Sequence, residues 1–151
     1  MCVRNIWLLL DNTLGMEKKV NYICKSCYYK IRNIGLIRKY INDETSKTLV
    51  QTLITSWLDY GNALLYNIPI SLTNRLQLVQ NYAARLVTRT HKREHITTVL
   101  FQLHWLPVRF RSFNKIMFHT FKVLNGTSPL YLSDVWQMFK INLKIYKFAL
   151  Y

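Results

Sequence analysis

The sequence predicts a mainly α-helical protein, a compact multi-helix bundle with one short β-strand before the helices. Apolar residues recur at intervals of three and four along most of the 151 residues, which is the spacing of one buried helix face. Half of the residues are hydrophobic, so the chain has enough apolar side chains for a real core. We expect a strand and turn over 1–14, helices over 15–139 and a separate tail over 140–151.

The strand is predicted from a β-branched and apolar run over residues 3–10, which the turn-prone pair Asp11-Asn12 closes. A single strand cannot satisfy its own backbone hydrogen bonds, and the sequence shows no partner strand for it. We therefore expect an orphan strand whose partners belong to a larger fold.

The first helix is predicted to start at Met16 and to be bent or interrupted by Gly35. Its expected buried face consists of Val20, Cys24, Cys27, Ile31 and Ile34. Four basic residues recur every seven positions on the opposite face, namely Lys18, Lys25, Arg32 and Lys39.

Two further helices follow, each with a predicted cap. Asn42 or Asp43 should cap the second helix, which is expected to loosen near Gly61 and to end before Pro69. Ser71 should cap the third. The second helix has the apolar face Leu49, Val50, Leu53, Ile54, Trp57 and Leu58, and the third has Leu72, Leu76, Val79, Ala83 and Leu86.

The remaining helices are predicted over 96–105, from Pro107 to the stop signal Asn125-Gly126, and over 128–139. The helix after Pro107 has the expected apolar face Phe113, Ile116, Met117, Phe121 and Leu124. The tail alternates lysine with apolar residues and carries no turn signal.

The net charge of +14, from 21 basic and 7 acidic side chains, favours nucleic acid or an anionic membrane surface as partner. Residues 67–126 hold nine basic side chains and only Glu94 as an acid. No apolar stretch approaches the roughly 20 residues of a membrane helix. The basic and apolar residues also spread over several elements and not over one amphipathic helix, so we expect no membrane partner. Three cysteines do not make a disulfide framework, and we expect an intracellular protein of the nucleus or cytoplasm, not a secreted one.

Two short motifs suggest metal binding and are interpreted otherwise. Cys24 and Cys27 have C-x-x-C spacing, but a structural zinc site needs four ligands and no second pair follows. His91-Lys92-Arg93-Glu94-His95 matches the H-x-x-E-H motif of zinc peptidases, yet its two central cations repel a metal. We expect no metal site and no cofactor in this chain.

Three pieces of the segment 49–111 carry a resemblance. They are Thr55-Ser56-Trp57-Leu58-Asp59-Tyr60-Gly61-Asn62, the block 76–87, and His95-Ile96 followed by Leu103-His104-Trp105-Leu106-Pro107. In this order the chain resembles, from about residue 3 to about residue 132, the region after the polymerase domain in reverse transcriptases of non-LTR, LINE-type (jockey-like) retrotransposons.

The resemblance implies a truncated, non-catalytic piece of an RNA-directed DNA polymerase. Residues 1–14 would be the remnant of the last palm strand and turn, 15–139 the thumb and post-thumb helices, and 140–151 a divergent tail. In the full enzyme the resemblance implies two divalent metal ions, of the magnesium type, which the family's Ala-Asp-Asp element helps to hold; that element is absent here. The implied partners are RNA, an RNA/DNA hybrid, and the missing palm and fingers.

Basic and aromatic side chains are the candidates for contact with nucleic acid, because cations bind phosphates and rings stack on bases. Tyr82 and His104 offer further stacking faces. The candidate site residues are Lys18, Lys25, Arg32, Lys39, Arg85, Arg89, Lys92, Arg93, Trp105, Arg109 and Arg111.

The same residues allow blander interpretations. The first basic series can be the solvated side of an amphipathic helix, and Trp105 can be a core anchor. Two other functional classes also remain open at the level of sequence. The chain can be a degenerate reading frame with no biochemical role, or a helical protein-interaction module that uses the apolar face over 72–86.

Overall fold

The computed structural model describes residues 2–5, 8–11 and 16–136, and over these it is mainly helical. The predicted tail over 140–151 and the end of the sixth helix at 137–139 lie outside the described residues. The chain divides into two units, residues 1–113 and residues 114–151.

The N-terminal segment contains two short strands, β1 (Cys2–Asn5) and β2 (Leu8–Asp11), which pair antiparallel. Cys2 lies opposite Asp11, and Asn5 lies opposite Leu8. The prediction of one orphan strand is therefore not supported, because the two halves of the segment pair with each other. The argument that the strand's partners must lie elsewhere falls with it.

Helix α1 (Glu17–Ile37) has the predicted buried face. Val20 and Cys27 are completely buried, and Ile31 packs against the core while remaining partly exposed. Gly35 does not interrupt α1, which continues for two residues beyond it, so that alternative of the prediction is wrong, while a bend at Gly35 stays a prediction.

The second predicted helix is three consecutive helical segments: α2 (Asp43–Val50), a π-helical turn (Gln51–Thr55) and α3 (Ser56–Asp59). Asn42 caps α2 as predicted, since its side-chain oxygen accepts a hydrogen bond from the Thr45 N–H at 2.7 Å. The π turn, which the sequence did not suggest, places Ile54 in the core. A 3₁₀ turn (Asn62–Leu65) follows Gly61, which has a left-handed φ of 61°.

Helix α4 (Ile70–Thr88) packs its predicted face into the core, where Leu72, Leu76, Val79 and Ala83 are buried and Leu86 is half-buried. Its start differs from the prediction, because Pro69 and not Ser71 is the cap. The Pro69 carbonyl accepts hydrogen bonds from the N–H groups of Leu72 and Thr73, and Ser71 is an exposed residue of the first turn.

Helices α1 and α4 pack side by side and run in the same direction. The ring of Tyr28 contacts that of Tyr82, with centroids 5.8 Å apart. Just after the end of α1, the Arg38 side chain donates to the carbonyls of Leu86 and Val87 near the end of α4. The C-terminal ends of both helices therefore lie at one end of the unit 1–113.

Helix α5 (Ile96–Gln102) ends three residues before the predicted position. His104 adopts a left-handed φ of 56°, and the Trp105 N–H bonds back to the Leu100 carbonyl at 2.9 Å, which closes the helix. The chain after Trp105 is fixed to α4: Gln80 donates to the Leu106 carbonyl, and Gln77 accepts from the Val108 N–H.

Helix α6 (Val108–Leu124) follows Pro107 and ends at Asn125-Gly126, as predicted. The prediction for its apolar face is wrong. Of the five predicted residues Ile116 is half-buried and the others are exposed, while the buried residues of α6 are Val108 and Ser112. A periodic apolar pattern defines a face but not a partner for it, and of this face only the Phe113 ring has an aromatic neighbour among the described residues, Tyr66, with centroids 6.4 Å apart. Residues 130–136 form a short helical segment in the place of the sixth predicted helix.

Candidate nucleic-acid interface

The basic side chains fall into two classes, which the sequence alone did not separate. One class is bonded to the protein and connects its helices. The other class faces solvent and is available to a ligand. The candidate residues are divided between the two.

Arg38 is buried and donates four hydrogen bonds within unit 1–113. Its side chain is 8% exposed and donates to the carbonyls of Leu86, Val87 and Ile41, and to the Asp43 carboxylate at 2.6 Å. These bonds join the ends of α1 and α4 to the start of α2. The hydrogen bond from Arg38 lowers the pKa of Asp43 below its usual value. Arg38 therefore has a structural role.

Lys19 and Arg111 hold the turn around Gly61. The buried Lys19 amine donates to the Gly61 carbonyl at 3.2 Å, and burial lowers the pKa of this lysine. Arg111 donates to both carboxylate oxygens of Asp59 at 3.0 Å and to the Leu106 carbonyl. Arg111 was a candidate for contact with nucleic acid, and the structure uses it to join α6 to the end of α3.

Arg85 and Trp105 are two further candidates with structural roles. Arg85 donates to the carbonyls of Lys92 and Glu94, so it holds the loop after α4 in place. Trp105 packs against the core clusters on both sides of α4, which is the alternative interpretation of this residue as a core anchor. Both side chains are half-buried.

The four basic residues of the first series all face solvent. Lys18, Lys25 and Arg32 lie on the side of α1 opposite the core, and Lys39 lies in the turn that follows. We call these four residues the α1 stripe. Among the described residues, no carboxylate forms an ion pair with any of them.

A second exposed basic group lies in the loop between α4 and α5. Lys92 and Arg93 face solvent, and Arg89 caps α4 with a left-handed φ of 55°. The Arg89 guanidinium is 56% exposed and lies 3.7 Å from the Asp43 carboxylate, which also pairs with Arg38. We call Arg89, Lys92 and Arg93 the loop cluster. It lies at the end of unit 1–113 where α1 ends, since the Arg89 guanidinium donates to the Ile41 carbonyl at 3.4 Å.

Arg109 is exposed but belongs to another part of unit 1–113. It lines a cavity of about 220 Å³ together with Tyr66, Ile70, Val108 and Ser112. This cavity lies at the opening between the 3₁₀ turn and the start of α6. The structure therefore does not join Arg109 to the α1 stripe.

Sequence reasoning missed three tyrosines beside the α1 stripe. Tyr29 and Tyr40 are 68% and 77% exposed, and Tyr22 is 39% exposed. The amine of Lys39 lies 4.7 Å from the centre of the Tyr40 ring. The signal was present in the sequence, since Tyr22 and Tyr29 each stand four residues after a lysine of the stripe. Of the aromatic residues suggested instead, Tyr82 packs against Tyr28 and His104 stays exposed.

The two short metal-like motifs do not form a site. Cys24 and Cys27 are buried in the core as free thiols, and burial raises the pKa of Cys27 to about 12. His91 and His95 lie outside any helix, and the Glu94 carboxylate accepts from the His91 backbone N–H. In residues 16–136 no three side chains of metal-binding type come together.

Comparison with protein families, with curated proteins and with solved structures finds no match to this chain. Across the described residues, no helix combines the length and the apolar character needed to cross a membrane.

Proposed function

We propose that this chain binds RNA without catalysing a reaction, through the α1 stripe and the loop cluster. The observation that carries the proposal is the exposure of these cations on one unit, with six of the seven free of ion pairs among the described residues. Cations that already pair with carboxylates gain little from a phosphate. Unpaired ones release counterions from the nucleic acid when they bind it.

The distribution of acids supports the same surface. Asp43 and Asp59 are the carboxylates that pair with arginines, and each serves an arginine that joins helices. On α1 the acid nearest the stripe is Glu17, at the N-terminal end, where a negative charge suits the helix dipole. The outer face of α1 from Lys18 onward therefore presents one sign of charge.

We further propose that the chain corresponds to the thumb and post-thumb region of a non-LTR reverse transcriptase. Support comes from the roles of the residues that carry the resemblance. Asp59 and Gly61 bind Arg111 and Lys19, and Trp105 packs in the core. Residues of this kind position helices and do no chemistry. In the full enzyme the metal ions and the polymerase carboxylates would belong to the palm, and this unit would hold RNA or an RNA/DNA hybrid by its backbone.

The test is RNA affinity as a function of salt. We expect log K to fall linearly with log salt, and the variant Lys25→Gln/Arg32→Gln to flatten that slope by about 1.4 on single-stranded RNA, at about 0.7 per phosphate contact. Fluorescence anisotropy with a labelled, unstructured RNA gives both slopes.

The matched control is Lys47→Gln/Lys115→Gln, which removes the same charge from exposed positions outside the stripe and the loop cluster. This control should keep the wild-type slope. An equal decrease of the salt slope in both variants would show that RNA affinity depends on net charge alone and not on the stripe. A wild-type affinity that does not change with salt would exclude the proposal.

The rival interaction module is disfavoured by burial. The apolar face over 72–86 contains Leu76 and Val79, which are 1% and 0% exposed beneath α1. A folded chain cannot offer that face to another protein. The second rival, a reading frame without a role, predicts no cooperative melt by circular dichroism.

A further inference from the structure

The outer face of α1 carries two parallel columns of side chains. Lys18, Lys25 and Arg32 form one column, while Tyr22 and Tyr29 form the other, each ring one turn of helix after a lysine. Side chains four residues apart lie on the same face of a helix, one above the other. Along this face cations and tyrosine rings therefore alternate from Lys18 to Arg32. In the turn beyond α1 the adjacent residues Lys39 and Tyr40 add one more cation and one more ring.

Tyr29 and Tyr40 are among the most exposed aromatic residues of unit 1–113, whereas the Tyr22 ring packs against Trp57 with centroids 5.8 Å apart. Tyr28 packs against Tyr82, and Tyr66 packs against Phe113. Tyr29 and Tyr40 instead leave about two-thirds or more of their surface in water. Single exposed rings are ordinary on protein surfaces. Rings that alternate with unpaired cations form a surface that offers both positive charge and aromatic faces to a ligand.

A polynucleotide strand offers both complements, phosphates for the cations and base faces for the rings. Stacking on a ring requires that a base face be open. In a duplex each base face is covered by the next base pair, so the rings would meet only sugar and phosphate. An unpaired strand can turn successive bases outward.

The spacing of the rings favours separated bases. The eight residues of helix from Tyr29 to Ile37 rise about 12 Å and Tyr40 lies beyond them, so Tyr29 and Tyr40 are more than about three times farther apart than the roughly 3.4 Å between stacked bases. Two rings therefore cannot extend one continuous stack. Each ring takes a different base, and the phosphates between them pass the cation column.

We propose that the α1 face selects an unpaired polynucleotide strand over a duplex, with Tyr29 and Tyr40 stacking on bases and Lys25, Arg32 and Lys39 binding the intervening phosphates. This inference rests on the proposed function and adds the class of ligand to it. It concerns the strand's unpaired state, and the ribose 2′-hydroxyl plays no part in it.

The experiment compares three probes on the full chain: an unstructured RNA, a DNA of the same sequence, and the RNA duplex of the same length. We expect Tyr29→Ala/Tyr40→Ala to weaken binding of both single strands by roughly fivefold or more per ring, the low end of the stacking range, and to leave duplex affinity unchanged. Tyr29→Phe/Tyr40→Phe keeps the rings and should bind as the wild type does.

Tyr131→Ala is the matched control, because Tyr131 is exposed to a similar extent, 66%, and lies away from α1 in the sequence. Single strands that bind no tighter than the duplex, or an alanine variant that weakens the duplex equally, would overturn the inference while leaving RNA binding intact. Loss in the phenylalanine variant would assign the contact to the hydroxyl groups and would overturn it too. No binding by any probe would overturn the proposed function itself.

Discussion

Arg38 brings a full positive charge into a site where its side chain is 8% exposed, and a buried charge is costly unless it is paired and hydrogen bonded. The structure meets that cost with three carbonyls and one carboxylate. A guanidinium suits this site because its planar fork donates in several fixed directions at once, whereas a lysine amine acts as a single point charge. No local pattern in the sequence distinguishes Arg38 from its exposed neighbour Lys39.

Asp43 should make the stability of the chain depend on acid pH. Its pKa is lowered in the folded state by the hydrogen bond from Arg38, so the unfolded chain binds the proton more tightly. Stability from this carboxylate is therefore complete above its ordinary pKa of about 3.9 and is lost as the pH falls through the folded value. We expect Asp43→Asn to lower the urea midpoint at pH 7, with the difference from wild type shrinking as the pH falls below 4 (roughly the ordinary value).

Glu44→Gln is the control for this prediction. Glu44 occupies the same first turn of α2 and faces solvent, so its variant should follow the wild-type pH profile much more closely than Asp43→Asn does. If the difference between Asp43→Asn and the wild type stays constant from pH 7 to acid, the link between Arg38 and the Asp43 carboxylate carries no stability.

At the scale of elements, the sequence predicted helices with their buried faces better than it predicted their ends. The face of α4 is almost entirely buried as expected, because its spacing of three and four residues survives any shift of the boundaries. The predictions of the helix ends were wrong where backbone conformation or backbone hydrogen bonds, and not side chains, determine the end. Pro69 caps α4 with its carbonyl, and His104 ends α5 in a left-handed conformation that glycine would normally mark.

Gly35 offers a test of helix continuity. It lies inside α1, and an added Cβ would meet only the Leu86 side chain, at 3.9 Å, which is ordinary van der Waals contact. Alanine loses less conformational freedom on folding than glycine does, so we expect Gly35→Ala to raise the free energy of unfolding by about 0.5–1 kcal/mol. Urea denaturation followed by circular dichroism measures the change. A lower midpoint would show that the helix needs the flexibility of glycine there.

Gly126→Ala is the matched variant for Gly35→Ala, and it should lower the free energy of unfolding where Gly35→Ala raises it. Gly126 follows α6 with a φ of +66°, and the N–H groups of Gly126 and Thr127 bond back to carbonyls of the last turn. A Cβ is strained in this left-handed region although space is open around it. We expect the same alanine substitution here to cost about 1 kcal/mol, because the left-handed conformation disfavours L side chains.

For the whole molecule, charge and periodicity predicted the class of fold, but they did not predict which basic residues face solvent and which bind other parts of the protein. Lys25 and Arg111 are both basic residues in amphipathic helices, and only the structure shows that one faces water while the other binds Asp59. That division depends on contacts between residues 52 positions apart, which no local pattern encodes. The same reason explains the apolar face of α6, whose period was correct and whose burial was not.

The buried residues of the described chain all lie between Met16 and Ser112, so stability should be concentrated in unit 1–113. Amides in helices that pack into a core exchange with solvent only through large unfolding events, whereas amides of poorly buried helices exchange through local opening. Hydrogen exchange followed by mass spectrometry on the full chain should show the slowest exchange in α1 and α4. Peptides from 114–136 should exchange at least roughly tenfold faster, in line with such local opening. Equal protection in α4 and in 114–124 would show that the second unit has a core of comparable stability. Fast exchange everywhere would instead support the reading frame without a folded product.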